Sequence, residues 1–159
     1  MAKVKSTRIA VYVYRKAPSG PEFLQLHRAE GAGEFPGIWG IVYGGIKSGE
    51  TAVEAALREL REETGLTPKI FHQVEFIETF YHRSRDRISM LPVFAAQAPK
   101  GFSLKLNSEH DDHRWVALGD VSTAFVWRVQ RQAIAIINEE IINAHSPAAG
   151  LLKIDPASM

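Results

Sequence analysis

The chain has 159 residues, 45% of them hydrophobic and 23% charged, a balance that suits a single globular domain with one sizeable core. It contains no cysteine, so disulfide staples, thiolate nucleophiles and sulfur-ligated zinc are excluded. Formal net charge is +1, which argues against a global field for capturing nucleic acid, and no apolar run reaches the roughly 20 residues of a membrane span.

Residues 1–5 carry two lysines, and no apolar stretch of signal-peptide length follows, so a cytoplasmic protein is expected. Residues 7–15 and 23–28 are rich in β-formers, with Ala17-Pro18-Ser19-Gly20-Pro21 between them, which predicts a hairpin. Residues 30–37, with three glycines and a proline, read as a loop. Residues 39–42 are expected to form one short buried strand closed by Gly44-Gly45.

Residues 51–64 carry the strongest helical signal. Val53, Ala56, Leu57 and Leu60 recur at i, i+3, i+4 and i+7 as one apolar stripe. Gly65 supplies a left-handed stop, and Pro68 opposes continuation. Two β-like segments follow at 70–81 and 87–98, joined by a basic turn at 82–86. Residues 114–118 read as a further strand. A second helix is expected over 129–143, with Val129, Ala133, Ile136 and Ile137 packing inward. The order strands, helix, strands, helix predicts an α/β (α+β) fold, a mixed β-sheet with helices on its faces. Residues 1–144 are expected to form the single domain, and 145–159 a tail or packed arm.

The first helix has a second face. Glu59, Glu62 and Glu63 stand at i, i+3 and i+4, roughly 115° from the apolar stripe at about 100° per residue. Like charges at these spacings repel, and they sit in the last turns, where the helix dipole disfavours anions. Two local rules broken in one turn point to a functional site with a cation supplying the missing charge. Carboxylate oxygens are hard ligands, so Mg²⁺ is the natural ion and Mn²⁺ a substitute. A solvated acidic face is the plain alternative for three glutamates alone.

The surroundings decide between them. Gly44, five residues, Glu50, seven residues, then Arg58-Glu59-Leu60-Arg61-Glu62-Glu63-Thr64-Gly65-Leu66 resembles the Nudix box at every fixed position. The order of elements from about residue 6 to 143 is similar to the Nudix fold, an α/β/α sandwich. The resemblance implies a hydrolase of pyrophosphate linkages in nucleotide-like small molecules. It implies that Glu59, Glu62 and Glu63 bind divalent ions, helped by the backbone carbonyl of Tyr43 and by Glu109 from a later loop. Arg58 joins Glu59 and Glu63 in the catalytic set, pairing with Glu50 or a neighbouring glutamate. Gly44, Glu50 and Gly65 are the structural positions of the box. Glu59, Glu63 and Glu109 are all candidates for the general base.

Ser108-Glu109-His110 through Val116 is similar to the matching stretch of dATP and dihydroneopterin triphosphate pyrophosphohydrolases, as is Arg131-Gln132-Ala133-Ile134. That likeness makes Arg28, Trp39 and Tyr43 candidate substrate contacts and a (deoxy)nucleoside or pterin triphosphate the expected substrate. Tyr81 keeps a diadenosine polyphosphate alive, whereas His82, where many ADP-ribose hydrolases carry proline, argues against ADP-ribose. Arg83, Arg85 and Arg87 read as a solvated hairpin tip, and Trp115 and Trp127 as core. Residues 110–113 read as loop near the pocket. A non-catalytic ligand-binding module would be expected to have lost box glutamates, and all three are intact. A nucleic-acid end hydrolase lacks its basic track. The C-terminal arm is a candidate for homodimer contact.

Overall fold

The computed structural model describes residues 1–31, 35–144 and 146–159. The middle of the expected 30–37 loop and His145, at the start of the C-terminal segment, lie outside the described residues.

The strands are β1 (Lys3–Lys5), β2 (Arg8–Ala17), β3 (Gly20–Arg28), β4 (Trp39–Gly40), β5 (Val42–Gly45), β6 (Phe71–His82), β7 (Arg87–Gln97), β8 (His110–Ala117) and β9 (Lys153–Ile154). The helices are α1 (Ala52–Thr64), α2 (Val121–Ala124), α3 (Arg128–Ile136) and α4 (Ala149–Leu152). Among the described residues the strands join in one mixed sheet ordered β4-β3-β2-β7-β6-β9. β2 and β7 run parallel, Ala10 opposite Val93 through Tyr14 opposite Gln97, while β2–β3 and β6–β7 are antiparallel.

Alternation along β2 shows why its sequence is apolar without a break. Ile9, Val11 and Val13 enter the core beneath α1, and Ala10, Tyr12 and Tyr14 enter the core beneath α3. Successive strand residues face opposite sides, so a strand covered on both faces must be apolar throughout. The result is the α/β/α sandwich expected from the element order.

β3 stays beside β2 only from Gly20 to Phe23. Further along, β4 pairs with Leu26 and His27 of β3, and β5 pairs with Arg8 to Val11 of β2. The single strand expected over 39–42 is therefore two short strands on different partners, and Gly44-Gly45 closes the second of them, β5, as expected. The strand expected over 114–118 is β8, which begins at His110, four residues earlier, because β3 continues to Arg28 and offers it partners. α3 passes into a π-helical turn at Ile137–Ile142. Ala133 and Ile137 are buried as expected, but the inward row also contains Gln130 and Ile134, while Val129 and Ile136 are only partly covered. Lys153 and Ile154 pair with His72 and Phe71, which docks part of the C-terminal segment on the sheet edge. Among the described residues no helix is long and apolar enough to cross a membrane.

Candidate active site

α1 starts with a reciprocal capping box. The Thr51 hydroxyl accepts from the Glu54 N–H at 3.2 Å, and the Glu54 carboxylate accepts from the Thr51 N–H at 2.7 Å. It ends at Gly65, whose φ of 76° is the left-handed conformation glycine adopts without steric cost. Both ends being fixed, the angular positions of the helix acids are fixed as well.

Arg58 is the hub of the motif. Its Nε and Nη2 donate to Glu50 at 2.7 and 2.9 Å, its Nη1 to Glu59 at 2.7 Å and Glu62 at 3.3 Å, and Nη2 also to the Gly45 carbonyl at 2.8 Å. The planar fork thus ties the loop after β5 to the helix. Arg58 holds the Glu50 carboxyl down at about 2, helped by the Lys47 N–H. Gly44 lies against Glu59, and a methyl group at Gly44 would overlap Glu59 Cγ and Cδ.

The three helix glutamates differ in environment. Glu62 is half exposed and faces Arg58. Glu59 is mostly covered, between Gly44 and Arg58. Glu63 is 2% exposed. Burial first, then the charges of Glu109 and Glu59, push its carboxyl up to about 9 despite opposing help from Arg28 and Arg8. Its Oε2 is buried without a hydrogen-bond partner, 3.9 Å from the equally orphaned Nδ1 of His110. His110 is buried at the start of β8, and burial lowers its pKa, so it contributes a neutral ring. Glu109 is held by Asn107, whose Oδ1 accepts from the Glu109 N–H at 3.1 Å. Among the described residues no three acidic or histidine side chains already converge as a cation cage.

An unpartnered buried carboxylate oxygen beside two more acids is costly in any protein. A divalent cation relieves both the desolvation and the repulsion, and the donors are the hard oxygens that Mg²⁺ and Mn²⁺ prefer. The set Glu59, Glu63 and Glu109 fits such an ion, and Tyr43 precedes Gly44 with its backbone carbonyl nearby in sequence. Glu62 shares the Arg58 Nη1 with Glu59 and projects about 100° round the helix from Glu63, toward solvent.

A cavity of about 380 Å³ connects to these acids through Arg8 and Arg28, which line it and act electrostatically on Glu63. Arg8, Arg28, Trp39, Tyr43, Glu78, Phe80, Trp127 and Gln130 are among its lining residues. The three sequence candidates Arg28, Trp39 and Tyr43 therefore share one wall system. The Arg114 guanidinium stacks on Trp39 at 4.2 Å from the ring centroid.

Trp127, expected in the core, lines this cavity instead, with its ring edge-on to Phe80 and Phe35 at 5.4 and 6.1 Å. It stands at the N-cap of α3, against Phe80 of β6. Arg85, in the 3₁₀ turn Arg83–Arg85, is exposed as the solvated-tip reading expected, and it also lines the cavity. Tyr81 is exposed and its hydroxyl donates to Asp86 at 3.1 Å, away from the cavity lining.

The sequence reading missed Glu78 and Gln130. Glu78 is buried and accepts from the Tyr12 hydroxyl and, at 2.8 Å, from the Tyr43 hydroxyl. Gln130 Nε2 donates to the Tyr43 hydroxyl at 3.2 Å. The signal was present: Val74, Phe76, Glu78, Phe80 and His82 share one phase of β6, and a carboxylate in that row breaks the apolar pattern.

Known proteins share this domain. The family model described as NUDIX domain matches residues 6–136. The nucleoside triphosphatase NudI of Escherichia coli is 31% identical over 106 residues, covering 62% of this chain and 75% of that protein. The E. coli dihydroneopterin triphosphate pyrophosphohydrolase superposes with a TM-score of 0.69 at 22% identity, covering 87% of this chain and 99% of that one. The Ap4A hydrolase of C. elegans, as a binary complex, superposes with a TM-score of 0.64 at 21% identity, covering 82% and 95%. At such identities the two structures speak for the fold, and the family match carries the assignment. This chain belongs to the Nudix hydrolase family.

Proposed function

We propose that this hydrolase cleaves a pyrophosphate bond in a (deoxy)nucleoside or pterin triphosphate, using Mg²⁺ with Mn²⁺ as a substitute, and releases the monophosphate and inorganic pyrophosphate. The observation that carries the reading is Glu63, buried without a partner for Oε2, pushed by the charges of Glu109 and Glu59, and coupled electrostatically to Arg28 and Arg8 of a cavity large enough for a base. The substrate class draws support from what NudI and the dihydroneopterin triphosphate enzyme are named for.

When bound, a divalent cation would neutralise charge on the phosphate oxygens and make an attacking water more acidic. Glu59, Glu63 and Glu109, with the Tyr43 carbonyl, would hold it, and Glu62 would serve as an outer acid through Arg58. Arg58 fixes Glu59 through the 2.7 Å bond from Nη1. One of Glu59, Glu63 and Glu109 would take the water proton. Arg8 and Arg28 line the cavity and act electrostatically on Glu63, so they span the gap a triphosphate must cross. Guanidinium groups there suit phosphate oxygens.

A diadenosine polyphosphate or ADP-ribose substrate, the rival reading, finds less support. The sequence argument for a diadenosine polyphosphate rested on Tyr81, whose hydroxyl is engaged with Asp86, and His82 argues against ADP-ribose.

Glu63→Gln tests the reading in a Mg²⁺-supplemented screen of triphosphates, ADP-ribose and diadenosine polyphosphates. The variant keeps its melting temperature and loses about a hundredfold or more in turnover. Full turnover by Glu63→Gln, or cleavage of ADP-ribose alone by the wild type, would overturn it.

A further inference from the structure

We infer that Gln25, a buried side chain outside the cavity lining, positions both tryptophans of that lining, Trp39 and Trp127, and so sets how tightly the cavity holds the substrate's ring, an inference that rests on the proposed triphosphate reading only for the identity of that ring.

Gln25 lies midway along β3 on the same face as Phe23 and is 0% exposed. A buried amide needs partners, and both ends of this one have them. Its Oε1 accepts from Arg114 Nε at 2.8 Å, across the β3–β8 pair in which the two residues stand opposite each other. Its Nε2 donates to the Ala124 carbonyl at 3.0 Å, at the end of α2. An arginine Nε only donates and a carbonyl only accepts, so the amide has one orientation.

Each of these bonds leads to a tryptophan. The Arg114 guanidinium lies over Trp39, 4.2 Å from the ring centroid, and His27, the cross-strand partner of Trp39, packs on it at 4.9 Å. β4 has two residues, so its own ladder gives the Trp39 ring little anchorage and the guanidinium cover supplies it. On the other arm, Ala124 is followed by Phe125, Val126 and Trp127. Arg131 Nη1 donates to the Phe125 and Val126 carbonyls at 2.7 Å each. Side chains thus hold the carbonyls of residues 124, 125 and 126 in succession, and Trp127 leaves this clamped segment to pack on Phe80. Gln25 joins the two arms. Without it each ring rests on its remaining contacts, and a slot for a flat ring binds well only when its walls are held in place by the residues behind them.

The experiment measures KM and kcat with Mg²⁺ on the triphosphate that wild type cleaves best. Gln25→Met, which removes both bonds at similar volume, is expected to raise KM about tenfold and to leave kcat within about threefold. A lower melting temperature with KM unchanged would make Gln25 a stability residue and overturn the inference, leaving the hydrolase reading intact. Arg114→Met cuts the Trp39 arm alone, so it should raise KM about threefold in wild type and by less than about 1.5-fold once Gln25 is methionine. The same factor in both backgrounds would break the link through Gln25. Gln25→Glu keeps the acceptor for Arg114 but turns an oxygen toward the Ala124 carbonyl. It stands in if the methionine variant does not fold: KM raised about threefold supports the inference, and wild-type KM overturns it. If no triphosphate is cleaved, the hydrolase reading fails separately and fluorescence decides. With Trp115→Phe and Trp127→Phe, Trp39 is the remaining tryptophan. Gln25→Met should then raise its quenching by acrylamide about twofold as the guanidinium cover loosens, and unchanged quenching ends the inference.

Discussion

Gly44 and Glu59 are packed so closely that any side chain at Gly44 would occupy the space of the Glu59 Cγ and Cδ. The contact joins β5 to α1 and holds the carboxylate against the strand that also carries Tyr43. Gly44 is not in a left-handed conformation, so its requirement is steric rather than conformational.

Gly44→Ala should therefore displace Glu59 rather than strain the backbone. Overpacking of this kind costs about 1–3 kcal/mol. A drop in melting temperature together with activity lowered at least about tenfold is expected, and weaker Mg²⁺ binding by calorimetry should accompany it. Unchanged metal affinity would show that Glu59 does not need this seat.

Glu63 makes the metal-free protein sensitive to pH. Its folded pKa, about 9, lies above the ordinary glutamate value of 4.5. The folded state thus binds the extra proton between those values, and the associated stability is complete below pH 4.5 and lost as pH rises through 9. In chelator, the melting temperature should fall across that window, and Mg²⁺ should restore it most at the alkaline end. Glu63→Gln, neutral at every pH, should flatten the metal-free profile, which differential scanning calorimetry reads directly.

Trp127 stands at the cavity wall against Phe80 and Phe35. If bases stack there, Trp127→Ala removes about 1–3 kcal/mol of binding. The expected signature is KM raised about tenfold with kcat nearly kept, measured on the preferred triphosphate. A kcat loss with KM unchanged would assign the residue to folding of α3 instead.

Much of the site could be read before any coordinates. The Arg58-Glu59 and Glu62-Glu63 steps and the Gly65 stop follow from helical spacing, which covalent geometry sets within a few residues. The apolar run in β2 likewise announces a strand covered on both faces. Tertiary structure alone decided which glutamate is buried: Glu63 is 2% exposed, while the Glu62 side chain is 49% exposed. That difference arises because Glu109, His110 and Arg28, distant in sequence, close over one side of the helix and not the other. The same holds for Glu78 and Gln130, each unremarkable in its own segment, which meet through Tyr43 only when β5, β6 and α3 pack together. Local periodicity fixes where a side chain points, but burial and partnership depend on what the rest of the chain brings to that direction.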